Sequence, residues 1–138
     1  MSELTQADRE IVFDTETTGL SPEDGHRVVE IGCVELINHV PTGKNWHRYI
    51  NPQRGMPGDA FRVHGLSEEF LAKQETFADV ADDFLAFVGR TPLVAHNASF
   101  DVGFINAELA LLEKPPLDVA RITDTVAIAR RKYPGAQS

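Results

Sequence analysis

The order of its periodicities constrains this chain most: strand-like runs come first, and helical spacing takes over only after Gly65. The run "EIVFD" (Glu10–Asp14) is short and apolar and is closed by the turn-rich "TTGLSPEDGH", as for a mostly buried strand followed by a loop. "HRVVEIGCVELI" is rich in β-branched residues and predicts a second, longer strand. "NHVPTGK" reads as a turn region, and "NWHRYIN" predicts a third strand, with aromatics at alternating positions. Short connections between the three favour an antiparallel meander.

In "GLSEEFLAK", Ser67 can cap a short helix with Glu68 and Glu69 in its first turn. In "TFADVADDFLAFVG", Thr76 is the expected N-cap and Gly89 the stop. Phe77, Val80, Ala81, Phe84, Leu85 and Val88 recur there at helical spacing. "PLVAH" predicts a fourth strand, "NASFDVGFINAELALLEK" a helix ending at Pro115 and Pro116, "DVARITD" a fifth strand and "TVAIARRKY" a last helix. Strands first, then alternating helices and strands, describe a mixed α/β sheet with helices on its faces.

With 138 residues, 42% of them hydrophobic, the chain can build one domain with a real core and is too short for two. A formal charge of −8 argues against a protein that grips nucleic acid or an anionic membrane mainly through a basic surface. Phosphate can still be bound through metal ions. The single cysteine, Cys33, excludes an internal disulfide and is expected to be a reduced core thiol. The polar start, "MSELTQADRE", is unlike a signal peptide, and no later run approaches membrane-spanning length. The expectation is a cytoplasmic protein with no membrane partner.

Asp14 and Glu16 stand two apart, so they share a strand face if the extended backbone persists past Phe13. Two such anions repel unless a cation lies between them, and Mg²⁺ favours one or two carboxylates with waters and phosphate oxygens. An Asp-x-Glu tripeptide alone is more often a solvated acidic loop. Here Thr17, Thr18 and Gly19 follow directly, and hydroxyls beside a glycine let backbone approach a phosphate or sugar closely. Asp101 adds a third acid in the first helical turn after "LVAH", on the face shared by Phe104 and Ile105. Taken alone it suits the helix dipole equally well.

"FDTETTGL", "RVHGLSEEF" and "HNASFDVGF", in this order and spacing, resemble the DnaQ-like, or DEDD, 3′-to-5′ exonucleases over almost the whole chain. The likeness is greatest to the proofreading branch that serves bacterial DNA polymerase III. It implies an RNase H-like α/β fold in which four acidic residues bind two divalent ions, Mg²⁺ or Mn²⁺, for attack of water on the terminal phosphodiester. Asp14, Glu16 and Asp101 match three of the four as catalytic and metal-binding residues. By the same resemblance, Thr15, Thr17, Thr18 and Gly19 line the terminal nucleotide. His64 and Asp59 lie near its sugar, and Asn97 and Phe100 border the separated strand end. The family often has Glu where Asp59 stands. Read without the family, Phe100 is a core aromatic more often than a stacking face, and His64 can equally cap a turn before Gly65. His26, His39 and His47 read as surface or strand residues, and Asp118 and Asp124 as turn or cap acids.

The family's third motif, His-x-Ala-x-x-Asp, supplies a general base and the fourth carboxylate, and "TVAIARRKYPGAQS" closes the sequence without it. The expectation is therefore one exonuclease domain over residues 1–138, incomplete at its C-terminus and with little activity of its own. The implied function is proofreading of a frayed or single-stranded DNA 3′ end for the DNA polymerase III catalytic subunit and its holoenzyme. The implied product is a nucleoside 5′-monophosphate. A relative that trims RNA or single strands, or an inactive nuclease-like docking domain, are the alternatives.

Overall fold

The computed structural model describes residues 8–126; the expected last helix lies almost wholly outside them. Strand β1 (Arg9–Thr17) alternates as the sequence demands, with Ile11, Phe13, Thr15 and Thr17 buried on one side. It pairs antiparallel with β2 (Val28–Ile37), which pairs antiparallel with β3 (Val40–Tyr49). Parallel strands β4 (Leu93–Ala95) and β5 (Ile122–Asp124) extend the other side of β1, giving the order β3-β2-β1-β4-β5. The predicted mixed α/β sheet, meander plus parallel strands, is what forms.

Two boundaries differ from the sequence reading. β3 begins at Val40, inside the segment expected to be a turn, because Asn38 and His39 both take left-handed φ values (51° and 66°) and close a hairpin in two residues. Helix α1 (Gly58–His64), unforeseen, buries only Ala60 and so leaves no hydrophobic period to read. Helix α2 (Glu68–Ala72) has Ser67 as its N-cap, accepting from the Phe70 N–H.

Helix α3 (Phe77–Val88) opens on a reciprocal box: Thr76 accepts from the Asp79 N–H while the Asp79 carboxylate accepts from the Thr76 N–H. Phe77, Val80, Ala81, Phe84 and Val88 are buried as expected, with Leu85 partly so. Phe84 lies 5.5 Å from the Trp46 ring of β3. Helix α4 (Ala98–Leu111) stops short of the prolines at Leu112, with Glu113 left-handed after it. Its Val102, Phe104, Ile105 and Leu109 join Ile11, Phe13, Ile31 and Cys33 in one core. Burial of side chains this size contributes about 2–3 kcal/mol each. Burial pushes the Cys33 thiol up to about 12, so it is chemically inert in the folded protein. No helix among the described residues is long and apolar enough to cross a membrane.

Candidate active site

The site forms where β1 ends against the first turn of α4. The extended backbone continues past Phe13 to Thr17, so Asp14 and Glu16 do share a face, opposite Gly32 and Glu30 of β2. A register shift between Glu16 and Thr17 then bends the strand end, a common device for re-aiming side chains. Thr15 points to the other side, toward α4. There Asp101 Oδ1 accepts from the Thr15 N–H (3.1 Å) and from the Thr15 hydroxyl (2.5 Å). Thr15, expected to line the terminal nucleotide, lines the cleft and is also buried, where it holds the third acid.

Asp101 is 3% exposed, and its carboxyl is raised to about 6. Burial is the largest cause. The Thr15 hydroxyl and N–H oppose it, and the neighbouring charges of Asp14 and Glu16 reinforce it. Glu16 is raised as well, by burial first and then by Asp14 and Glu30, with His64 acting against. Three carboxylates therefore sit close enough to repel. Among the described residues none of them forms an ion pair, whereas Glu30, Glu35 and Glu108 all do. Nor do three or more acidic, His or Cys side chains of the described residues close into a metal cage. The donor set is one of hard oxygens, rich in negative charge and open on one side. That suits Mg²⁺ or Mn²⁺, which keep waters and substrate phosphate oxygens in their shells.

Beside the acids lies a cleft of about 640 Å³, lined by Thr15, Glu16, Thr17, Thr18 and Gly19 from β1 and the turn after it. Asp59 and His64 of α1 and Phe100 of α4 form the facing wall. Asn97 does not line it. That residue is the left-handed N-cap of α4, and its N–H is bonded to Asp124. His64 is doubly tied: Nδ1 accepts from the Leu66 N–H (3.1 Å), which leaves the proton on Nε2 to donate to the Thr17 carbonyl (3.1 Å). The turn-capping and cleft-lining readings of His64 both hold, and with neither nitrogen free it positions the wall. Phe100 is likewise both, half-buried against Phe104 (5.0 Å) and facing the cleft. Asp59 is paired with Arg62 on the surface.

His26 was read as an ordinary surface residue, but it lines the cleft. Its Nδ1 is bonded to the Thr18 hydroxyl (2.8 Å), and its ring lies so flat on Gly19 that a Cβ there would sit 2.4 Å from it. A side chain at this position would have to displace the His26 ring. Asp118 and Asp124 are caps, as expected: Asp118 accepts from Ala120, and Asp124 from Asn97, Ala98 and Val126.

A family model described as Exonuclease matches residues 11–138. The chain belongs to the Exonuclease family. It is 51% identical over 132 residues to DNA polymerase III subunit epsilon of Rickettsia felis, covering 94% of this chain and 58% of the relative. It is 43% identical over 141 residues to the subunit of that name in Escherichia coli, covering 97% of this chain and 58% of the relative. The chain thus spans less than two thirds of the length of these relatives. Among solved structures, exonuclease X in complex with 5′ overhanging duplex DNA superposes with a TM-score of 0.70 at 26% identity, over 93% of this chain and 66% of that one. Exonuclease I, at 18% identity, shares the fold with a TM-score of 0.80 over 91% of this chain and 30% of its own length. These neighbours bear out the RNase H-like family of folds.

Proposed function

We propose that this protein is a 3′-to-5′ DNA exonuclease that proofreads for a replicative polymerase, hydrolysing the terminal phosphodiester to release nucleoside 5′-monophosphates. One observation carries the reading: Asp101 is buried against β1 without an ion pair among the described residues, feels the charges of Asp14 and Glu16, and Glu16 lines a cleft beside Thr17, Thr18 and Gly19. Asp14, Glu16 and Asp101 are the residues that would hold two divalent ions, Mg²⁺ or Mn²⁺. Bound there, the ions supply Lewis acidity for the attack of water and offset charge developing on phosphate and leaving oxygen.

The chain's own residues do the rest. Asp101 is oriented by its two bonds from Thr15, so its carboxylate is fixed before any ion arrives. Thr17, Thr18 and Gly19 shape the cleft for the terminal nucleotide, the Thr17 hydroxyl donating to the Gly19 carbonyl and the Thr18 hydroxyl bonded to His26, with His64 and Asp59 across the cleft near the sugar. Phe100 presents a ring edge or face to a base, and such stacking contributes ~1–3 kcal/mol per base. The relatives named as polymerase III epsilon subunits support DNA over RNA, and polymerase III with its holoenzyme as the partner; a cytoplasmic location is part of the same proposal. An acidic domain that receives its DNA from a polymerase has little need for a basic surface of its own.

The test is an end-labelled, 3′-mismatched duplex and a matching RNA incubated with the full-length protein in Mg²⁺ or Mn²⁺, then in chelator. Metal-dependent release of mononucleotides from DNA, abolished by Asp14→Ala, is the expected result. No release from either substrate would sink the proposal, and release from RNA alone would move it to the trimming enzymes.

A further inference from the structure

Helix α4 carries Asp101 in its first turn, yet it lacks a cap of its own. Its N-cap residue, Asn97, sits in left-handed backbone (φ 64°, ψ 56°), and the Asn97 side chain makes no capping bond. The first N–H groups of a helix have no partner within it and must find one elsewhere. Here the partner comes from another strand. Ala95 of β4 is in register with Asp124 of β5, so the Asp124 carboxylate lies beside the point where β4 turns into α4. Its Oδ1 accepts from the Asn97 N–H (3.0 Å) and its Oδ2 from the Ala98 N–H (3.1 Å). Oδ1 also accepts from the Val126 N–H (2.9 Å), and His96 Nδ1 is bonded to the Thr125 hydroxyl (2.9 Å). The segment after β5 and the start of α4 are thus stitched together at several points.

We propose that Asp124 is a positioning residue for the site: by holding Asn97 and Ala98 it fixes the first turn of α4, and so sets where Asp101 meets β1. The inference rests on the reading of Asp14, Glu16 and Asp101 as the ion-holding set. Asp101 follows Ala98 by less than one helical turn. The residues between them are helical, so a shift of the first turn carries Asp101 with it. Asp124 itself is not among the residues of the cleft wall, so it acts through α4 and not on the substrate. Both carboxylate oxygens are used as acceptors, and that separates Asp from Asn. An amide keeps one acceptor and turns an NH₂ toward an N–H.

The experiment compares wild-type full-length protein with Asp124→Asn. Mn²⁺ binding is read by calorimetry without DNA, kcat and KM on 3′-mismatched DNA, and melting temperature without metal. Residues that orient metal ligands typically change affinity or activity ~10–100-fold. Asp124→Asn is expected to weaken Mn²⁺ binding ~10-fold or more and to lower kcat by a similar factor, with KM for DNA within about twofold. Asp118→Ala removes the cap on the Ala120 N–H, in a turn that makes no bond to the first turn of α4, and it should leave Mn²⁺ affinity within about twofold. A merely structural cap would lower the melting temperature and leave affinity and kcat per folded molecule unchanged. That result for Asp124→Asn overturns the proposal. Should that variant fail to fold, Asp124→Glu keeps the charge and displaces its oxygens by one methylene, and wild-type Mn²⁺ affinity there overturns it as well. If wild type itself neither binds Mn²⁺ nor releases nucleotides, the functional reading falls and takes this one with it. If wild type does both and Asp124→Asn matches it, only the positioning role falls.

Discussion

Helix α4 buries two carboxylates two turns apart, and their surroundings could hardly differ more. Glu108, 2% exposed, takes both arms of the Arg27 guanidinium (2.8 and 2.7 Å) and the Val28 N–H (3.1 Å). Asp101, 3% exposed, takes one hydroxyl and one N–H, both from Thr15, and faces two further acids. A buried anion without a cation is costly, whereas a buried pair with its hydrogen bonds satisfied is not. The Glu108 end of the helix is complete as folded. The Asp101 end holds a negative charge without an ion pair among the described residues, and that imbalance is what the proposed ion site would draw on.

The largest effect should come from removing the charge at the unbalanced end. Asp101→Asn in the full-length protein should cut metal-dependent nucleotide release by about 10³-fold, several kcal/mol of transition-state stabilisation. The same change should leave the metal-free melting temperature equal or higher, because a repelled buried charge is gone. A clear drop in metal-free stability would show Asp101 to be a structural acid like Glu108.

At the balanced end the expectation inverts. Glu108→Ala strands a partly buried guanidinium and should cost about 3 kcal/mol in urea unfolding. Removal of Arg27 together with Glu108, in apolar replacements, should cost markedly less than the sum of the two single changes. Additivity would mean that the pair is not the unit it looks to be.

Much of this was legible in the sequence, and what was not has a physical reason. Asp14 and Glu16 were readable because strand alternation is local, and Ser67 and Thr76 because a cap lies within three residues of what it caps. The family motifs pointed to Asp101 and His64 as candidates for the site, and His64 does line the cleft. The Arg27–Glu108 pair spans 81 residues, and Asp124 reaches Ala98 across 26, and no period or local motif records either. His26 escaped notice for a related reason. Its role depends on the turn after β1 folding back until the ring lies on Gly19, and a histidine in a Gly- and Pro-rich loop carries no such mark. The inner part of β3 was read as a turn because Gly43 and Pro41 outweighed β propensity there, while the actual turn sits at Asn38 and His39.

Titration sharpens the contrast at a smaller scale. The Asp101 carboxyl is raised from 3.8 to about 6, so the folded protein binds that proton more tightly than the unfolded chain does. Its contribution to stability is therefore fully present below about pH 4 and is lost as pH rises through about 6. Metal-free protein should lose on the order of 2 kcal/mol from this group between pH 4 and 7. Asp101→Asn should remove that slope, and Mg²⁺ should flatten it in wild type. An unchanged slope in Asp101→Asn would assign the dependence to other groups.

The smallest effect concerns whether the two ends are linked. Arg27, the partner of Glu108, also brackets the cleft turn: its N–H donates to the Thr18 hydroxyl (3.0 Å), and its carbonyl accepts from the Thr18 N–H (2.8 Å). Between these anchors His26 lies on Gly19. A methyl group at Gly19 meets three ring atoms at about 2.5 Å or less, so the ring must move, and overpacking of this kind costs ~1–3 kcal/mol. Gly19→Ala should therefore destabilise by about 1 kcal/mol and raise KM for DNA several-fold, with kcat nearly kept because the acids are not displaced. In His26→Ala the obstacle is absent, and adding Gly19→Ala to it should cost almost nothing, a coupling that a double-mutant cycle reads directly. If Gly19→Ala is as costly without the His26 ring as with it, the glycine serves the approach of substrate to backbone alone, and the turn owes nothing to the ring that lies on it.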